Sequence, residues 1–146
     1  MKRIVIFSYG VFSYAFFFAT FLYAIGFIGN IGVPKSIDSA PSLPFLPSLL
    51  IDAALLTLFA VQHSGMARPA FKRWLTRFIP QEAERSTYVL LSTACMALMF
   101  WLWAPLGGVI WNVDSSWAVY ALYGLYFASW GLLLYTTFLI NHFDLF

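Results

Sequence analysis

The sequence predicts an all-helical integral membrane protein with four transmembrane helices and one amphipathic interfacial helix. Of its 146 residues, 62% are hydrophobic and only 10% are charged, whereas soluble domains are about half apolar and a quarter charged. Aromatic residues make up 21% and include 16 Phe, more ring surface than the interior of so short a chain can bury. Four apolar runs also approach the roughly 20 residues that a ~30 Å hydrocarbon core requires. Together these features exclude an ordinary soluble domain.

The first apolar run extends from Ile4 to Ile28 and follows the cations Lys2 and Arg3. A positive flank before an apolar run is also how a signal peptide begins. The apolar part of a signal peptide has at most about 15 residues, however, and this run is longer. We therefore predict a retained transmembrane helix at 4–28.

Three further spans are predicted, at about 49–66, 86–104 and 117–140, all within a single membrane domain that covers 1–146. The first two spans are separated by a loop rich in proline, a residue that lacks an amide donor and interrupts helices. Ser115 or Ser116 is predicted to cap the fourth span. The prolines of the loop are Pro34, Pro41, Pro44 and Pro47.

The positive charges divide unevenly between the two sides of the predicted membrane. Of the eight Lys and Arg residues, Lys35 alone falls on one side. Because cationic loops are retained in the cytoplasm, both termini are predicted to be cytoplasmic. The lipid bilayer is the predicted partner, and a net charge of +2 gives no reason to expect nucleic acid. The other seven cations are Lys2, Arg3, Arg68, Lys72, Arg73, Arg77 and Arg85.

The connection between the second and third spans has the pattern of an amphipathic helix at about 69–79. Its apolar residues recur with helical spacing on one arc, and its cations occupy the opposite arc. We predict that it lies along the inner leaflet with its cations toward anionic headgroups. An ordinary cytoplasmic loop is the alternative. The apolar residues are Phe71, Trp74, Leu75 and Phe78, and the cations are Lys72, Arg73 and Arg77.

The predicted topology collects polar residues in one layer at the cytoplasmic end of the spans. Ionisable groups at a helix end reach water at little cost, so an interfacial or structural role is the alternative for each of them. Asp52 belongs to the opposite end and is predicted to be a solvated or capping carboxylate. The sequence contains no metal-binding histidine pattern or phosphate loop, so no metal site is predicted. The layer contains Gln62, His63, Glu84, Arg85, Asn141 and His142.

Four segments resemble bacterial methanethiol S-methyltransferases: QHSGMARP at 62–69, FKRW at 71–74, ERSTYVL at 84–90 and NHFDLF at 141–146. These enzymes are related to isoprenylcysteine carboxyl methyltransferase and to NnrU proteins. The resemblance implies a multi-pass protein of the bacterial inner membrane. It also implies methyl transfer from S-adenosylmethionine to the small thiol methanethiol, which yields dimethyl sulfide.

The resemblance also implies roles for individual residues. His63 is the expected acid-base group, and Glu84 and Arg85 are expected to order the cytoplasmic face as an ion pair. For Glu84 the alternative is a helix-start carboxylate near the positive end of the helix dipole. Gln62, Asn141 and His142 are expected to be interfacial or to lie on the substrate side.

Family members continue for roughly as long again, and their carboxyl half carries residues associated with S-adenosylmethionine. We therefore expect this chain to be an amino-terminal part whose donor site lies downstream of Phe146. The 146 residues alone are expected to be inactive.

Two other functions remain open at this point. The segments His63-Ser64-Gly65 and Glu84-Arg85 also resemble the NnrU-like domain of the plant carotene isomerase, in which histidines ligate haem. His63 and His142 would then be axial ligands of one iron, provided that their helices face each other. The third possibility is a non-catalytic membrane scaffold. The acceptor thiol and the oligomeric state are left open.

Overall fold

The fold was obtained as a computed structural model that describes residues 2–139, apart from the side chains of Lys2, Thr137 and Phe138. Across this range the chain forms helices and no strands, which confirms the predicted all-helical class. Four of the helices are long and apolar enough to cross a membrane. The helices are α1 (Lys2–Gly29), α2 (Phe45–Met66), α3 (Pro69–Leu75), α4 (Gln81–Leu102) and α5 (Ser116–Leu139).

Helix α2 begins at Phe45 rather than near 49, so the assignment of Pro47 to the loop was wrong. Pro44 is extended, with φ −60° and ψ 155°, and occupies the N-cap position. Pro47 therefore falls in the first turn, where backbone N–H groups have no partner within the helix. A proline at this position therefore removes no hydrogen bond from the helix.

Helix α4 begins at Gln81, earlier than the predicted 86, and includes Glu82 and Glu84 in its first turn. Carboxylates are favourable at this position because the amino end of a helix carries partial positive charge. The helix ends at Leu102 rather than 104, since Trp103 is extended with ψ 131°. Helix α3 ends at Leu75, short of the predicted 79.

The structure divides into two units, of which the first covers residues up to 106 and the second begins at Gly107. In the first unit α1 and α2 both pack against α4. Many of the buried side chains in this unit are small and polar. Small side chains let membrane helices approach each other closely. The buried small polar residues are Ser13, Thr20, Ser48, Ser86, Ser92 and Thr93.

One end of the first unit, which we call the proline-loop end, joins the 30–44 loop to the end of α4. Helix α1 ends there with Asn30 in the left-handed conformation, φ 55°, and with the N–H of Ile31 bonded to Gly26 O at 2.9 Å. This geometry closes a helix end and satisfies its free carbonyls. Lys35 Nζ donates to Trp101 O at 2.7 Å, so the lone cation of this side caps α4.

Asp52 also lies at the proline-loop end, but it is buried rather than solvated. Only 3% of the residue is exposed. Its Oδ1 accepts a hydrogen bond from the backbone N–H of Ala104 at 2.8 Å. Of the two predicted roles, the solvated carboxylate is wrong, because α2 turns this side chain toward the segment that follows α4. The carboxylate instead accepts from a backbone N–H just after the end of α4.

The second unit contains α5 and the segment before it. The N–H of Val119 bonds to Ser115 O at 3.0 Å, so Ser115 lies at the start of the helix. A side-chain cap by Ser115 or Ser116 stays a prediction. Before it, Asn112 Nδ2 donates to Asp114 Oδ1 at 2.6 Å.

Candidate functional site

The opposite end of the first unit, which we call the α3 end, brings His63 of α2 to Tyr88 of α4. The Tyr88 hydroxyl lies 3.0 Å from His63 Nδ1 and 3.1 Å from Nε2. The hydroxyl is therefore almost equidistant from the two nitrogens and is in line with neither ring N–H. The hydroxyl can donate its proton to an unprotonated ring nitrogen.

Aromatic rings orient the imidazole while leaving it accessible. The His63 ring stacks on Phe59 with centroids 5.3 Å apart and planes 23° apart. The ring of Tyr88 lies at the same centroid distance on the α4 side. His63 nevertheless remains exposed, whereas Tyr88 is half-buried. An accessible imidazole with a defined orientation is suited to proton transfer with a small molecule.

Glu84 pairs across helices with Lys72 of α3. Lys72 Nζ lies 3.7 Å from Glu84 Oε1, and the side chains are 45% and 16% exposed, respectively. The sequence suggested Arg85 as the partner, but the structure places Arg85 on the exposed surface. Glu84 is also a first-turn carboxylate, so the ion pair and the helix-dipole explanation both apply to it. The pair ties α3 to the start of α4.

Gln62 precedes His63 and is turned toward the last turn of its own helix. Its Nε2 lies 3.0 Å from the sulfur of Met66, a residue that is 5% exposed. Its Oε1 is buried without a hydrogen-bond partner among the described residues. Gln62 therefore holds a buried acceptor that no described residue uses.

The structure thus places Gln62, His63, Glu84 and Arg85 at the α3 end, as the topology predicted. Asn141 and His142 lie outside the described residues. Sequence reasoning did not single out Tyr88, although it occurs in the 84–90 segment, one helical turn after Glu84. The sequence signal was a tyrosine inside an apolar span. Its contact with His63 depends on how α2 and α4 face each other, which the sequence does not show.

The next question is whether the described residues could hold a metal ion or a haem. Between 2 and 139, no group of three or more His, Cys, Asp and Glu residues is placed to hold a metal ion. The haem alternative needs His142, which is not among the described residues.

Sequence comparison identifies relatives of this chain. It is 52% identical over 138 residues to a methanethiol S-methyltransferase of a Pseudomonas species, covering 94% of this chain and 53% of that protein. The corresponding protein of Crocosphaera subtropica is 51% identical over 146 residues, 100% of this chain and 57% of its own length. Mouse nurim is 35% identical over 101 residues, 65% of this chain and 38% of nurim.

No family model and no solved structure matches the chain. The chain spans about half the length of the curated methyltransferases that it matches. The names of these relatives do not favour the haem alternative. By sequence, the chain is similar over nearly its whole length to proteins named methanethiol S-methyltransferase.

Proposed function

We propose that this protein takes part in methyl transfer from S-adenosylmethionine to methanethiol, with dimethyl sulfide as the product. The observation that supports this most directly is the accessible, oriented His63–Tyr88 pair. It occurs in a chain about half identical to proteins named for this reaction.

The chemistry requires a proton acceptor for the thiol. The thiolate is the nucleophile, and thiols are mostly protonated near neutral pH. Imidazole changes its charge between about pH 5 and 8, which suits it to accept that proton. In the proposed reaction the S–H proton passes to His63 and the thiol sulfur forms a bond to the transferred methyl group. The bond between that methyl group and the sulfonium sulfur breaks, which leaves S-adenosylhomocysteine. The Tyr88 hydroxyl, 3.0 Å from Nδ1, contacts the ring and helps to hold it in place.

We further propose that the α3 end faces the cytoplasm of a bacterial cell, with the protein in the inner membrane. The exposed arginines Arg3, Arg68, Arg73, Arg77 and Arg85 gather at this end. Segments rich in Lys and Arg are retained on the cytoplasmic side. A water-soluble donor and a small apolar thiol would then meet at the inner lipid boundary, where His63 lies.

The described residues do not by themselves fit the donor. S-Adenosylmethionine carries a cationic sulfonium, and an acidic side chain would be a natural neighbour for it. At the α3 end, however, the carboxylate of Glu84 is engaged by Lys72 at 3.7 Å, and Glu82 lies on the exposed surface of the first turn of α4, where it encloses no site. We therefore propose that residues downstream of Phe146 bind the donor, while this chain supplies the thiol side of the reaction.

Replacement of His63 in the complete enzyme tests this proposal. His63→Ala should lower the rate of dimethyl sulfide formation by the ~10² to 10⁴-fold typical of a lost acid-base group. Headspace gas chromatography of membranes supplied with methanethiol and S-adenosylmethionine would measure it. Thr57→Ala is a matched control, because Thr57 is exposed on the same helix and bonds only to Ala53 O within it.

Membrane insertion of both variants should resemble wild type, because an exposed side chain at a helix end contributes little to the stability of the span. If the turnover of His63→Ala is within a few-fold of wild type, His63 is not the acid-base group of the reaction.

A further inference from the structure

Helix α3 and the turn after it expose a ladder of aromatic rings. Trp74 is 49% exposed and Phe78 is 71% exposed. The rings of Phe71 and Trp74 lie 5.2 Å apart, and those of Trp74 and Phe78 lie 5.3 Å apart. Tryptophan is enriched at the headgroup level of membranes, where one side of the ring is apolar and the other is wet. The ladder is therefore suited to a lipid boundary rather than to bulk water.

Two arginines accompany the ladder in sequence. Arg73 and Arg77 are exposed, and residues four apart lie on the same side of a helical turn. The turn continues past Leu75, because the N–H of Arg77 bonds to Trp74 O at 3.2 Å. Neither arginine has a carboxylate partner in the part of the chain that the structure describes, whereas Lys72 is engaged by Glu84. The cations of α3 thus separate into one that ties α3 to α4 and two that remain available.

We propose that α3 and its following turn bind an acidic phospholipid, with Arg73 and Arg77 on the headgroup phosphate. Guanidinium groups match phosphate oxygens with paired N–H donors, and Arg loses less hydration than Lys in doing so. Trp74 and Phe78 would lie against the glycerol and upper acyl region of the same lipid. The bilayer is favoured over a soluble phosphate because the charge adjoins exposed apolar rings, which a free anion would leave in water.

Native mass spectrometry of the detergent-purified complete protein, titrated with phosphatidylglycerol, tests the proposal. Each cation near an acidic membrane surface is worth about fivefold in affinity, so the Arg73→Gln/Arg77→Gln double variant should bind this lipid roughly 25-fold more weakly. The matched control is Arg3→Gln/Arg85→Gln, which removes the same charge from exposed residues outside α3. The control should change the affinity no more than about twofold.

Three results would overturn the proposal: equal weakening in both double variants, equal binding of phosphatidylcholine and phosphatidylglycerol, or displacement of the lipid by an equimolar amount of inorganic phosphate. Trp74→Ala should also weaken phosphatidylglycerol binding, and unchanged binding would exclude the aromatic part of the site. If the glutamine variant fails to fold, Arg73→Lys/Arg77→Lys preserves the charge and should show a smaller but measurable loss. None of these measurements depends on methyl transfer.

Discussion

Asp52 on α2 accepts a hydrogen bond at 2.8 Å from the backbone N–H of Ala104, two residues after α4 ends. Both partners are buried, at 3% and 5% exposed. The other carboxylate oxygen, Oδ2, is buried without a hydrogen-bond partner among residues 2–139. Because an unsatisfied backbone N–H is costly in an apolar environment, this contact stabilises the packing of α2 against the end of α4.

Replacing Asp52 should reveal that contribution. Asp52→Ala leaves the N–H of Ala104 without its acceptor and should lower the free energy of unfolding by roughly 1–3 kcal/mol. Asp52→Asn keeps an acceptor oxygen and should be milder. Thermal unfolding in detergent, followed by circular dichroism, would measure both. Equal losses in the two variants would show that the charge matters, rather than the hydrogen bond.

Tyr88→Phe in the complete enzyme isolates the hydroxyl that faces His63. The ring remains to pack against the imidazole, but the 3.0 Å contact is lost. Turnover should fall about tenfold, since a net hydrogen-bond contribution near 1.4 kcal/mol corresponds to that factor. The control is Tyr9→Phe, which removes a hydroxyl bonded instead to Thr87 at 3.0 Å. Similar losses in both variants would indicate a packing effect, not a role for Tyr88 in the reaction.

The proposed orientation predicts opposite labelling of two exposed positions in a Cys95→Ala background. Ala40 lies in the 30–44 loop, and Arg73 lies on α3. A thiol reagent that cannot cross membranes should label Ala40→Cys in intact spheroplasts. It should label Arg73→Cys only after the cells are permeabilised. The reverse pattern would place the α3 end outside the cytoplasm.

Gly26 should not tolerate a methyl group. A Cβ there would lie 2.7 Å from Ile31 O and would also collide with the side chain of Val33. Gly26→Ala should therefore destabilise the helix end by about 1–3 kcal/mol, the usual cost of overpacking. Gly10→Ala is the control within the same helix, since its Cβ would meet only Ser86 Oγ, at 3.4 Å. Comparable thermal unfolding of the two variants would contradict this account of the loop.

The element boundaries show where sequence reasoning succeeded and where it failed. Apolar runs located all four long helices, because each must match the thickness of the hydrocarbon core. They misplaced the starts of α2 and α4, since Pro47 was assigned to the loop and Glu82 and Glu84 precede the apolar run of α4. Proline and acidic residues are both compatible with a first helical turn, so residue type alone does not mark where a helix begins.

Local composition by itself determined that this chain forms long apolar helices joined by a proline-rich loop and a basic connection. These properties depend on the free energy of transferring each segment from water to lipid. That free energy is approximately the sum of the contributions of the single residues. Only the tertiary structure decided that His63 contacts Tyr88, that Glu84 pairs with Lys72 and that Asp52 bonds to Ala104. Such contacts depend on the rotation and register of one helix against another, which are set by side chains distant in sequence.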